Sequence, residues 1–364
     1  MPLVAHTDLP TFDRLRDEGH DVLSVDRARH QDIRELHVGL LNMMPDAALE
    51  ATERQFLRLL GSSNRIAQFF VHPFTVKGVP RQGASKQHVK RYYKSFEQIR
   101  SEGLDALVIT GANPIEEKIT QEAFWDGLVE VMGWAKEHVC STYLSCLATH
   151  AAVKVYHGIE RTPYKEKLWG VYSHRVVHRD HPLVAGINTR FETPHSRWND
   201  VPAAQFEAAG MRVLVQSDEA GVLAAVSPDQ FRFLYFQGHP EYDASSLLKE
   251  YKREVSRFVS GERDDYPSFP ENYVRSRLAS LLDGHRKKVL TAMDRSDPLP
   301  AFPDAEAARL VDNTWTDTGK AVFNNWLGLV YQLTDRDRKI PYMAGVDPSD
   351  PLGLKDKKAS STAA

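Results

Sequence analysis

LDALVITGAN (104–113), FWDGLVEVMGWAKEH (124–138), VCSTYLS (139–145) and LATHAAVKVYHG (147–158) follow one another as strand, helix, strand and helix. Both strand-length runs are apolar on both faces, and the longer segments carry the spacing of amphipathic helices. Strands of that kind, separated by helices, belong to a parallel sheet covered on both sides. The alternation extends upstream: LHVGLLNMM (36–44) reads as a strand, EATERQFLRLLGSS (50–63) as a helix on Phe56, Leu57 and Leu60, and IAQFFVHPFTV (66–76) as another strand. The expected fold class is α/β, a mostly parallel sheet with helices on both faces.

After Gly158 the segments shorten. KLWGVYSHRVV (167–177), MRVLVQSDE (211–219), GVLAAVSPD (221–229) and RFLYFQGHPEYD (232–243) are separated by turn residues and predict partly antiparallel strands, with RFLYFQ returning to the central sheet. SSLLKEYKREVSRFVSG (245–261) predicts a closing helix. The α/β domain therefore spans 36–261. Residues 1–35 read as an N-terminal arm, with a short helix in DLPTFDRLRDEG capped at Asp8 or Thr11. Residues 262–342 read as a C-terminal extension packing on the domain, with helical patches at YVRSRLASLLDGHRKKVL and GKAVFNNWLGLVYQLT, and 343–364 as a disordered tail.

The 364 residues are 42% hydrophobic and 26% charged, an ordinary globular composition. A formal net charge of -3 provides no long-range field for nucleic acid or an anionic membrane. No run approaches a membrane span, and the charged N-terminus lacks a signal-peptide core. Cys140 and Cys146 are the only cysteines. An extended strand between them would hold them about 20 Å apart, too far for a disulfide. These features predict a cytoplasmic protein. The histidines lack the spacing of a site such as HExxH, so no metal and no cofactor are expected.

STYLSCLATHAAVK (141–154) ends an apolar strand at Cys146 and opens a helix at once. A sulfur there lies at the C-terminal edge of the sheet beside the positive end of a helix dipole, with backbone amides available as an oxyanion hole. From this segment alone, a small buried hydrophobe is an equal reading. FQGHPEYD (236–243) ends a second strand and delivers His239 and Glu241 two residues apart, where extended backbone points both the same way. A thiol that attacks, an imidazole that takes its proton and a carboxylate that orients the ring are complementary, although a lone His-Pro-Glu is commonly only a turn.

In order and spacing, SCLATHA (145–151), EKLWGVYSHRV (166–176), PHSRW (194–198) and FQGHPEYD resemble the homoserine O-succinyltransferase family, relatives of the class I glutamine amidotransferases. The similarity covers roughly residues 1–260 and resumes at NTWTDTGKAVFNNWLGLVYQLT (313–334). The resemblance implies a flavodoxin-like α/β fold, a homodimer, and transfer of an acyl group from acyl-CoA, a co-substrate, to the hydroxyl of L-homoserine. On matching positions it implies that Cys146 is the acylated nucleophile, His239 the base and Glu241 the partner of that base, with Lys167, Ser196 and Arg253 binding substrate. In TGANPIEEKI (110–119), Ile115 falls where glutamate goes with acetyl-CoA and glycine with succinyl-CoA. Isoleucine lacks a carboxylate that would repel a succinyl group, so succinyl-CoA is expected, with acetyl-CoA the alternative. Serine as acceptor, a glutaminase-type hydrolase and an inactive binding relative are the remaining alternatives. His150, where the family commonly has Gln, reads as a structural histidine rather than an acyl-pocket residue.

Overall fold

The computed structural model describes residues 3–30, 33–63 and 67–355. Its strands are β1 (Leu3–Ala5), β2 (Val22–Ser24), β3 (Glu35–Met43), β4 (Gln68–Phe74), β5 (Ala106–Ala112), β6 (Ser141–Ser145), β7 (Thr162–Val176), β8 (Arg190–Asp200), β9 (Arg212–Ser217), β10 (Gly221–Val226) and β11 (Phe233–Phe236). They form one sheet in the order β2-β1-β4-β3-β5-β6-β11-β10-β9-β7-β8. From β2 to β11 all neighbours are parallel. The remaining pairs, from β11 through β10, β9 and β7 to β8, are antiparallel. RFLYFQ does return to the centre: β11 lies beside β6 with Phe236 opposite Ser145.

The apolar runs bury both faces because successive side chains alternate across a strand. In β5, Ala106 and Val108 enter one core, and Leu107 and Ile109 enter the other. The first core is roofed by helix Leu49–Ser63, through Phe56, Leu57 and Leu60, and by helix Thr316–Leu333, through Phe323, Trp326 and Leu327. Across the sheet, helices Trp125–His138 and Leu147–His157 cover the second core. A third core joins Trp169 and Val171 of β7 to helices Ser246–Val259 and Ser276–Arg295. Chain order turns about β3, with β4 on one side and β5 then β6 on the other. The C-terminal ends of β3, β5, β6 and β11 thus border the crevice where open α/β sheets bind ligands.

The ends of the chain differ from expectation. The segment read as an arm supplies β1 and β2, which extend the parallel sheet past β4. Its helix is Pro10–Asp17, with Pro10 in the first turn and no side-chain cap. Thr11 is buried and donates its hydroxyl to Glu53 instead. Part of the expected disordered tail packs too: Val346 and Leu352 lie against the first core, while residues 356–364 are outside the described residues. Cys140 and Cys146 are both free, flanking β6. Among the described residues no helix is long and apolar enough to cross a membrane, and no group of three His, Cys, Asp or Glu could hold a metal.

Helix Thr316–Leu333 is part of the core rather than an appendage, since buried Trp326 also donates its indole N–H to Ser141 Oγ at 2.9 Å. Trp326→Ala should therefore lower the unfolding free energy by about 3–5 kcal/mol, measured by denaturant titration.

Burial lowers the pKa of His150 to about 3 and of His174 and His181 to about 4. In the unfolded chain such rings protonate near 6.5, so between that pH and about 4 the unfolded state binds more protons than the folded one. The stability contributed by these neutral rings is present above pH 6.5 and is lost as pH falls through the window. Thermal unfolding at pH 7.5, 5.5 and 4.5 should give a falling midpoint, with a smaller fall for His181→Gln.

Candidate active site

Cys146 sits between β6 and helix Leu147–His157 with φ 51° and ψ -108°. A non-glycine residue in that region carries about 1–3 kcal/mol of backbone strain, and it persists only where surrounding contacts over-determine it. Here the Cys146 N–H donates to Phe236 O at 2.7 Å, and Thr149 Oγ1 donates to Leu144 O at 2.9 Å and Phe236 O at 3.0 Å. These bonds tie the elbow to the end of β11. The result is a half-buried sulfur at the start of a helix, beside the backbone of Gly111 at the end of β5.

His239 follows β11 by three residues, and its N–H donates to Pro194 O at 2.8 Å. Gly238 before it leaves room for its neighbours, because a β-carbon there would lie 2.7 Å from Leu223 Cδ1 and 2.8 Å from His195 Nε2 and force one of those side chains to shift. The His239 Nδ1–H donates to Glu241 Oε1 at 2.8 Å, and Ser145 Oγ donates to the same oxygen at 3.4 Å. That leaves the Nε2 edge for Cys146, which lies close enough to raise the pKa of the ring. Burial opposes a charged imidazole, but Glu241 and Cys146 together outweigh it and hold the His239 pKa up at about 10. The three residues expected to act together are thus neighbours, His239 bonded to Glu241 and lying beside Cys146.

Beneath this turn runs a buried chain whose tautomers are determined by its ends. His174 Nδ1 lies 2.8 Å from Tyr172 O, a carbonyl that can only accept, so His174 Nε2 is the acceptor for His195 Nε2–H at 3.0 Å. His195 Nδ1 then accepts from Arg197 Nε at 3.3 Å. Alternation along β8 turns the intervening Ser196 to the opposite side. His150 bonds Gln237 Oε1 at 2.9 Å and is buried, a structural role.

Ser196 Oγ and Lys167 Nζ both donate to Glu250 Oε2, at 2.7 and 2.9 Å, and Tyr242 OH donates to Glu250 Oε1 at 3.0 Å. Burial pushes the Glu250 carboxyl up, but Lys167 and Ser196 overcome it and leave its pKa below the usual value. The Tyr242 ring stacks on His239 at 4.3 Å, which links this cluster to that imidazole. Sequence reasoning missed Glu250 and Tyr242. Tyr242 directly follows Glu241, and Glu250 precedes Arg253 by three residues, one helical turn on the same face. Arg253 itself is 57% exposed and within 4 Å of Glu254 alone among the described carboxylates. It borders the cluster without bonding to it. Ile115 is 81% exposed, and its amide and that of Glu116 donate to Glu122 Oε1 at 2.7 and 2.8 Å. Its loop is held by Glu122 while the Ile115 side chain stays in solvent.

A sequence profile of the homoserine O-succinyltransferase family matches residues 2–336. The chain is 60% identical over 354 residues to the homoserine O-succinyltransferase of Methylococcus capsulatus, covering 97% of this chain and 100% of that one. It is 58% identical to that of Allochromatium vinosum, covering 97% and 99%. Similar solved structures include a glutamine amidotransferase from Methylobacillus flagellatus, at TM-score 0.41 and 12% identity over 82% of this chain and 95% of that one. Another, from Thermotoga maritima, has TM-score 0.41 and 13% identity over 83% and 99%. The full-length match to the profile and the curated relatives establishes that the chain belongs to the homoserine O-succinyltransferase family.

Proposed function

We propose that this chain transfers the succinyl group of succinyl-CoA to the hydroxyl of L-homoserine through a thioester on Cys146, the first committed step toward methionine. The observation that carries the proposal is His239 bonded to Glu241 and set beside Cys146, with the sulfur at a strained strand-to-helix elbow. The Cys146 thiolate attacks the thioester carbonyl of the donor, and the developing oxyanion faces the Leu147 amide and the Gly111 backbone. When the bond to the CoA sulfur breaks, His239 Nε2–H gives its proton to the leaving thiolate.

Acylation also changes the base. One of the supports for a charged His239 is the neighbouring Cys146 sulfur, and the neutral thioester removes it. The imidazole is left neutral, still oriented by Glu241, and takes the proton of the homoserine hydroxyl as that oxygen attacks the acyl carbon. Expulsion of the Cys146 thiolate restores the starting pair. The Glu250 carboxylate suits the ammonium of an amino acid, and Arg253 and Lys167 suit its carboxylate. The Ile115 side chain itself carries no carboxylate that would repel a succinyl group, which favours succinyl-CoA over acetyl-CoA. A homodimer in the cytoplasm completes the proposal.

Initial velocities with succinyl-CoA and homoserine should give the parallel lines of a ping-pong mechanism, and acetyl-CoA should have a lower kcat/KM. His239→Asn should lower kcat/KM by about 10²–10⁴ and Cys146→Ala should abolish transfer. Intersecting lines, or a Cys146→Ala enzyme that still forms the ester, contradict the thioester route. A higher kcat/KM with acetyl-CoA would reassign the donor alone.

A further inference from the structure

The turn carrying His239 is gripped from its far side by the C-terminal extension. Gly319 of helix Thr316–Leu333 approaches Pro240 so closely that a β-carbon on it would lie 3.0 Å from Pro240 O and 3.2 Å from Pro240 Cβ. Just before the helix, Trp315 donates its indole N–H to Tyr242 O at 2.8 Å. These two contacts hold the backbone on either side of Glu241, and the Tyr242 ring lies on His239. Further along the same helix Phe323 packs on Tyr143 at 4.8 Å between ring centroids. Tyr143 belongs to β6, the strand that delivers Cys146, so one helix contacts both halves of the nucleophile–base pair. A small apolar cavity lined by Phe236, Pro240, Thr318, Gly319 and Val322 lies alongside, so a push at Gly319 has room to move the turn.

We infer that Trp315–Phe323 is a positioning element for the acid–base pair: Gly319 seats Pro240 and Trp315 holds the Tyr242 carbonyl, so the C-terminal extension sets His239 against Cys146. The inference rests on His239 being the base. Gly319 and Trp315 contact the turn at Pro240 and Tyr242 and supply no reacting group of their own. Both act through where the imidazole sits, and small displacements of a reacting group are costly in rate.

The test compares four full-length enzymes, wild type, Gly319→Ala, Gly328→Ala and Trp315→Phe. Gly328 lies in the same helix with open space at its Cα, so its substitution reproduces the change in helix propensity without the contact. Gly319→Ala should lower kcat about tenfold or more with KM for homoserine within about twofold, and should displace the pH profile of kcat/KM. Gly328→Ala should match wild type in all three. Trp315→Phe keeps an aromatic ring but loses the N–H, and should show the Gly319→Ala pattern in milder form. Equal behaviour of the two alanine variants overturns the inference, as does a loss that only tracks the folded fraction by circular dichroism. If Gly319→Ala does not fold, Trp315→Phe decides, and a wild-type kcat and pH profile for it is contrary. Full activity in His239→Asn would instead overturn the assignment of the base, a separate outcome.

Discussion

The backbone at Cys146 adopts a conformation that an L-residue rarely takes, and its amide is held by the carbonyl of Phe236 at the end of β11. The strand after which His239 appears is therefore the strand that holds Cys146 in place. In this arrangement the parallel pairing of β6 with β11 is the device that brings Cys146 and His239 together. Sliding that pairing by one residue would break the Cys146 to Phe236 bond and turn the side chains of β11 to the opposite faces. The strain at the elbow and the register of two central strands are one constraint.

Electrostatics builds on that geometry. Burial alone would keep His239 neutral, yet Glu241 and Cys146 hold it charged, whereas the nearby His174 and His195 have no carboxylate partner among the described residues and are kept neutral. Neighbouring imidazoles thus have opposite states because of what each ring touches. The neutral pair under the turn shares one proton direction from Arg197 to Tyr172, which leaves no lone pair facing another lone pair in the interior. On the other side, Glu250 gathers Lys167, Ser196 and Tyr242 around one carboxylate, so three separate segments meet at the rim of the crevice.

Much of the fold was legible because β3, β5 and β6 are apolar on both faces, a pattern that only a covered parallel strand explains. The placing of Cys146 and His239 near each other was legible for a related reason: Cys146 directly follows β6 and His239 comes three residues after β11, and chain direction dictates which edge of the sheet they occupy. β1 and β2 were not, since three residues carry no period and their pairing is decided by β4, far along the chain. Glu250 was hidden in KEYKREV, which looks like a solvated helix face until tertiary structure brings Lys167 and Ser196 to it. Val346 and Leu352 were lost in a Pro- and Asp-rich segment whose few apolar residues find the first core only in three dimensions.

The claim on which the rest turns is that Cys146 carries the acyl group. Intact-mass measurement after mixing the protein with succinyl-CoA in the absence of homoserine tests it most directly. The account predicts one succinyl adduct on Cys146, discharged when homoserine is added and missing from Cys146→Ala. An unmodified protein that nonetheless forms O-succinylhomoserine on adding homoserine would contradict it.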